Sequence, residues 1–256
     1  MRQQSKVTID IRGTIIGGSH PCICLPLVSA GLDELLSEAR ELVGRSPDIL
    51  EWRVDAFSAL TDTDMCIDAL QQLRKTTGDI PLIFTCRSEL EGGVQKIPQE
   101  KRKKLILAAM ATGAVDLVDV ELVSDDSFLD AVITGANDAG VKVILSHHNF
   151  TETPEESFIC EVLYKMQERG ADIAKIAVMP NCYTDVLTLL SATNSSRIGK
   201  IYVPMITISM GAEGGVSRLA GGLFGSDVTF AAGRESSAPG QHSIDALRAG
   251  MALLYE

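Results

Sequence analysis

Eight short runs of apolar and β-branched residues recur along the chain, each followed by a longer stretch of helical periodicity, and this alternation constrains the fold more than any other feature. The runs are CICLPLV (22–28), DILEWRVD (48–55), PLIFTCR (81–87), LVDVEL (117–122), KVILSHHN (142–149), IAKIAVMP (173–180), YVPMITISM (202–210) and DVTFA (227–231). Strands joined by crossover helices pair in parallel, and near-continuous apolar strands belong to a sheet covered on both faces. Eight such units in 256 residues predict an α/β fold, a closed (β/α)₈ (TIM) barrel, as a single domain over residues 1–256. A doubly wound open sheet fits less well, because the turn after the first run, PLVSAGLDEL, lacks a G-x-G-x-x-G fingerprint. Ahead of the first run, KVTIDIRGTIIGG reads as a β-hairpin, so residues 1–20 are expected to form an extension closing the barrel bottom.

The intervening segments have the spacing of one helix face. Leu32, Leu35, Leu36, Ala39, Leu42 and Val43 recur at three- and four-residue intervals, as do Phe158, Ile159, Val162, Leu163 and Met166. The second of these helices is punctuated by Thr153 as N-cap, Pro154 at the first helical position, Glu156 in capping-box position and Gly170 past the end.

Charge narrows the partners. With 34 acidic against 23 basic residues the net charge is −11, which repels nucleic acid and anionic lipid surfaces. An anionic substrate must then be captured by a few local arginines, and Arg87 and Arg218 are placed to do it. The cysteines Cys22, Cys24, Cys66, Cys86, Cys160 and Cys182 show no C-x-x-C spacing and read as reduced core thiols. MRQQSKVTIDIRG lacks the apolar centre of a signal peptide and no run has the apolar length of a membrane span, so a cytoplasmic protein is expected.

In such a barrel, chemistry collects at the C-terminal ends of the strands. The polar residues there are Glu51 and Arg53 in EWRVD, Arg87 and Glu91 in CRSELEGG, His147 and His148 in SHHNF, Lys175, and Arg218 in SRLAGG. Lys175 lies inside the apolar run ADIAKIAVMP, on the inward face with Ile173 and Ala177 if strand alternation holds. Apolar surroundings would depress its pKa and leave a neutral amine, a nucleophile that forms Schiff bases with ketones and aldehydes. A structural ion pair with a buried carboxylate such as Glu51 or Glu121 accounts for the same residue equally well. His147 and His148 are adjacent, so they point to opposite faces and a metal site using both is disfavoured. One histidine near a Schiff-base lysine supplies the base that removes a proton beside the imine carbon.

Two later stretches add binding groups. GGVSRLAGGLFG sets Gly214, Gly215, Gly221, Gly222 and Gly225 around Arg218, a backbone expected to approach a small ligand closely. ESSAPGQHS (235–243) is a small-residue loop whose Ser and Gln donors suit closure over an anion. Four histidines without H-x-H spacing argue against a metal-dependent hydrolase, and no metal ligands are assigned.

In their order and spacing, EWRVD, FTCRSELEGG, DVEL, VILSHHNF, AKIAVMP, SRLAGGLFGSDVTFA and SAPGQ resemble the type I 3-dehydroquinate dehydratases, the Schiff-base-forming enzymes of the shikimate pathway. The resemblance covers nearly the whole chain. It implies a (β/α)₈ barrel, commonly a homodimer, converting 3-dehydroquinate to 3-dehydroshikimate with no metal or organic cofactor, the covalent imine on Lys175 serving instead. It further implies that His148 is the general acid/base and Glu91 the carboxylate positioning it. Arg218, Ser237 and Gln241 match the groups holding the substrate carboxylate under a closing loop, and Glu51, Arg53 and Arg87 match the hydroxyl- and ring-binding side. His147 stands where many members have Asn, Asn149 where many have Asp, Ile208 where Met is common and Pro26 where some have Ser. None of these departures removes a group the chemistry needs.

The nearest alternative is another Schiff-base barrel, a class I aldolase or transaldolase. Those enzymes usually bind sugar phosphates, and no glycine-rich phosphate cradle is evident at the last two strands. A catalytically silent barrel acting as a binding module would be expected to lack some of the lysine, histidine and arginine set, and all are present.

Overall fold

The computed structural model describes residues 2–255. Each of the eight runs contains a strand: β3 (Cys22–Leu27), β4 (Ile49–Arg53), β5 (Leu82–Thr85), β6 (Leu117–Glu121), β7 (Lys142–Asn149), β8 (Ile173–Val178), β9 (Met205–Ser209) and β10 (Val228–Phe230). Helices α1 (Leu32–Gly44), α2 (Thr63–Thr77), α3 (Gln99–Ala111), α4 (Asp126–Ala139), α5 (Glu156–Glu168), α6 (Tyr183–Ile198), α7 (Gly215–Phe224) and α8 (Ile244–Tyr255) follow the strands in turn. The strands form one parallel sheet in the order β10-β3-β4-β5-β6-β7-β8-β9, a barrel. At the seam between β9 and β10 the backbone N of Asp227 donates to the Met205 carbonyl at 2.6 Å, and the Asp227 carboxylate accepts from the Met205 backbone N at 2.8 Å. Arg2 and Arg197 clamp that same carboxylate. No described helix is long and apolar enough to cross a membrane.

The expected hairpin is present. β1 (Ile9–Ile11) pairs antiparallel with β2 (Thr14–Ile16) across a two-residue turn in which Arg12 and Gly13 both have positive φ, 52° and 86°, the geometry that matches strand twist. Ile9, Ile11 and Ile16 pack beneath a layer made by Cys22, Ile49, Ile83, Leu117, Ile144, Ile173, Ile206 and Val228, the inward residues nearest the strand starts. The hairpin is therefore the floor of the barrel.

Above that floor the period of two sets the site. Ile49 is followed on the same face by Glu51 and Arg53, Ile83 by Thr85, Leu117 by Asp119 and Glu121, Ile144 by Ser146 and His148, and Ile173 by Lys175 and Ala177. Outward residues such as Leu50, Trp52, Phe84, Val118, Leu145 and Ile176 pack against the helices in the larger core.

One boundary differs from expectation. α5 starts at Glu156, not at Pro154, and its N-cap Glu155 makes no side-chain cap. The Thr153 hydroxyl instead donates to the Met179 carbonyl at 3.0 Å, fastening the β7–α5 connection to the end of β8.

Candidate active site

Lys175 points into the barrel as alternation requires, is 4% exposed, and lines a cleft of about 600 Å³ at the strand C-termini. Its surroundings are not the purely apolar ones considered from the sequence. Nζ donates to Asp119 Oδ2 at 2.7 Å, lies 3.8 Å from Glu51 Oε1, and sits 4.6 Å from the centroid of the Phe230 ring. The principal carboxylate partner is thus Asp119, which the sequence reading did not single out, and Glu51 is the secondary one. Glu121 is engaged elsewhere. It accepts from Arg87 Nη1 and from the Ser88 backbone N, both at 2.9 Å, and pairs with Arg102.

Arg87 ties this network together. Its guanidinium reaches Asp119 Oδ1 at 2.9 Å and donates to Ser146 Oγ at 2.7 Å, while Ser146 donates to Asp119 Oδ1 at 2.6 Å. Three carboxylates (Glu51, Asp119, Glu121) therefore meet three cations (Lys175, Arg87, Arg102) in a buried layer where isolated charges would be prohibitive. Burial opposes ionisation of Asp119, yet Arg87 and Lys175 outweigh it and hold the carboxyl well below its usual range.

His148 faces the same cleft. Its Nδ1 is 2.9 Å from Glu91 Oε2, and its backbone N donates to the same oxygen at 2.8 Å. A carboxylate only accepts, so Nδ1 carries the proton and Nε2 is left with a free lone pair. Burial, reinforced by Arg87 and partly countered by Glu91, pulls the His148 pKa down to about 4, so the ring is neutral near pH 7. Against its own burial, Glu91 is held at about 2 by the two neighbouring histidines, His147 with Nδ1 3.4 Å from Oε1 and His148 through its hydrogen bond to Oε2. Phe150 stacks on His148 with centroids 6.3 Å apart and planes at 17°. Its ring also covers Gly92, where a Cβ would come within 2.6 Å of it, so the turn bearing Glu91 is seated on the strand bearing His148.

Arg218 is 2% exposed and has no carboxylate partner among the described residues. It donates to the carbonyls of Phe230 at 3.2 Å and Pro239 at 2.9 Å, and its buried Nε has no partner among the described residues. Burial lowers its pKa to about 10, and the guanidinium remains charged with capacity to spare for an anion. It stands on helix α7 and not on a loop, and the glycines around it serve packing. A Cβ at Gly222 would meet Pro21 and Tyr255, and one at Gly214 would lie 2.1 Å from the Ser209 carbonyl.

Ser237 and Gln241 line the same cleft from the loop after β10. Gln241 Oε1 accepts from the Ser237 backbone N at 2.8 Å and its Nε2 donates to Ser237 Oγ at 3.1 Å. At Gly240, with φ +76°, a Cβ would be 2.0 Å from the Gly211 carbonyl, so this loop rests directly on the backbone after β9. Arg53 reaches the cleft while held by Asp55 in a two-point contact, 2.9 and 2.7 Å. All nine residues singled out from the sequence, Glu51, Arg53, Arg87, Glu91, His148, Lys175, Arg218, Ser237 and Gln241, border one cavity. Asp119 and Phe230 were missed. The signal for Asp119 was available, since LVDVEL places two acids two residues apart on one strand face. Asn149 stays outside the chemistry: its Oδ1 accepts from Thr151 N, Thr151 Oγ1 and Glu152 N, a local turn.

Residues 23–256 match the family model described as type I 3-dehydroquinase. The 3-dehydroquinate dehydratase of Geobacillus thermodenitrificans is 43% identical over 246 residues, covering 95% of each chain. The crystal structure of 3-dehydroquinate dehydratase from Geobacillus kaustophilus superposes with a TM-score of 0.95 at 42% identity, covering 99% of this chain and 98% of that one. A type I 3-dehydroquinate dehydratase from Clostridium difficile, solved with covalently modified comenic acid, gives a TM-score of 0.94 at 41% identity over 97% of this chain and 98% of that one.

Proposed function

We propose, from the premise that this chain belongs to the type I 3-dehydroquinase family, that it dehydrates 3-dehydroquinate to 3-dehydroshikimate through an imine on Lys175 with His148 as acid and base. The observation that carries the mechanism is a buried lysine amine and a neutral histidine lining one cleft, with an unpaired guanidinium at its side.

Lys175 must first shed a proton, after which its lone pair adds to the ketone carbon; the ketone oxygen takes up that proton and a second one from the nitrogen and departs as water, leaving a protonated imine. The ammonium and the iminium carry the same charge, so the Asp119 and Glu51 carboxylates already arranged around Nζ stabilise both without reorganising. His148 Nε2 removes a proton from the neighbouring carbon, and the C–H electron pair moves toward the imine nitrogen to give an enamine. The electrons return, the hydroxyl one carbon further out breaks away, and His148 protonates it so that it leaves as water. Water then cleaves the conjugated imine and frees product and Lys175. Two waters are lost and one consumed, a net loss of one. The lysine supplies the electron sink, so the reaction calls for no metal or organic cofactor.

Arg218 holds the substrate carboxylate, with Ser237 and Gln241 closing from their loop, and Glu51, Arg53 and Arg87 facing the ring hydroxyls. The chain works as a cytoplasmic homodimer in this reading. The test is to mix protein and 3-dehydroquinate, add borohydride, and locate the mass increase by peptide mapping. An adduct on Lys175, absent in Lys175→Ala, is expected; turnover with no adduct on Lys175 would overturn the imine.

A further inference from the structure

Glu91 has more partners than one catalytic histidine requires. Its Oε2 receives both the backbone N and the ring Nδ1 of His148, while its Oε1 lies 3.4 Å from Nδ1 of the neighbouring His147. The two histidines leave β7 on opposite faces, and the His147 ring meets Phe158 of α5 edge-on, centroids 6.2 Å apart. The Glu91 carboxylate spans both faces at the end of the strand. The His147 side chain is 26% exposed against 10% for His148, so His147 occupies the side of the carboxylate nearer to solvent.

We propose that His147 is a positioning residue for the dehydration: by engaging Oε1 it fixes the Glu91 carboxylate, which then presents Oε2 to His148 in a single orientation. The inference rests on the assignment of His148 as acid and base. A carboxylate held through one oxygen keeps a broad, two-fold terminal torsion, and water can compete for the other oxygen. Anchoring both oxygens removes that freedom. The stacked Phe150 and the turn containing Gly92 hold the His148 ring and the Glu91 backbone, but among the described residues neither donates a hydrogen bond to the carboxylate oxygens. His147 supplies the missing restraint. It is not among the residues that line the cleft, so its influence is on the rate of proton transfer and not on substrate affinity.

The experiment is steady-state kinetics with 3-dehydroquinate on His147→Leu, His147→Asn, Glu91→Gln and the double variant Glu91→Gln with His147→Leu. Asn carries its amide nitrogen as many bonds from Cα as histidine carries Nδ1, so it keeps a donor for Oε1. His147→Leu is expected to lower kcat about three- to tenfold with KM changed less than about twofold, and His147→Asn to recover most of the loss. In the Glu91→Gln background His147→Leu should add nothing further. An unchanged kcat in His147→Leu, an equal loss in the Asn and Leu variants, or additive losses in the double variant overturns the assignment. Borohydride trapping on Lys175 is run beside the kinetics. No trapping in the unaltered protein counts against the imine reading itself, whereas normal trapping with unimpaired turnover in His147→Leu counts against His147 alone.

Discussion

Arg218 is the residue whose two roles pull in opposite directions. A guanidinium that is 2% exposed, with only carbonyl partners among the described residues, is a buried charge without a counter-ion there. The same vacancy makes it a strong receptor for a carboxylate. Arg218→Met is therefore expected to raise KM for 3-dehydroquinate about 10- to 150-fold, the range for a lost hydrogen bond to a charged group, while the thermal midpoint of the free protein stays level or rises. Kinetics and calorimetry on the same preparation check this; a fall in midpoint with unchanged KM would make Arg218 a structural residue. At this scale the sequence was informative about residue type and less so about partnership. Lys175, His148 and Arg218 stood out because each is costly in its setting. Which acid answers Lys175 depended on how strands β6 and β8 face each other across β7, a relation that periodicity within one strand does not contain.

The elements were legible wherever one physical signal dominated. Near-continuous apolar, β-branched runs marked all eight barrel strands, because burial on both faces leaves few other ways to satisfy them. The start of α5 was misread because Thr153, a good capping residue by type, is drawn to the Met179 carbonyl by the neighbouring strand. The run around Arg218 was misread because glycine signals close approach without saying what approaches, and here it is Pro21, Tyr255 and the β9 backbone. The hairpin allows floor and mouth to be separated experimentally. Ile16 is fully buried at the closed end, and the cleft lined by Lys175 and His148 lies at the other. Ile16→Ala should cost about 2–5 kcal/mol of stability. At 25 °C the variant should keep kcat and KM within about twofold, because the polar layer rests on the strands and not on the hairpin side chains. Urea unfolding and steady-state kinetics test the pair, and a parallel loss of kcat at full folding would show that floor and site are coupled.

Across the whole molecule, the site's electrostatics set how the fold responds to acid. His148 titrates near 4 when folded against about 6.5 in an unfolded chain. Between those values the unfolded state binds a proton that the folded state refuses, so stability falls as pH drops from about 6.5 to 4, by up to about 3 kcal/mol. Glu91 acts lower down. Held at about 2 when folded, it contributes stability that is complete above about 4.5 and is lost as pH falls toward 2. Asp119, also held below its ordinary range, adds in the same direction, while Asp227, raised mainly by burial, opposes them at the seam. Two separable phases are expected in unfolding free energy against pH. His148→Gln removes the titrating ring and should flatten the upper phase, from 6.5 to 4, while the lower one shrinks without vanishing, because one of the groups holding Glu91 down is lost and His147 and the residue-148 backbone N–H remain. Urea titrations at half-unit steps from pH 7 to 3 would show it. If the slope above pH 4 survives in His148→Gln, the acid sensitivity arises elsewhere than at His148, and the neutral buried imidazole on which the proposed proton transfer depends would lose its thermodynamic support.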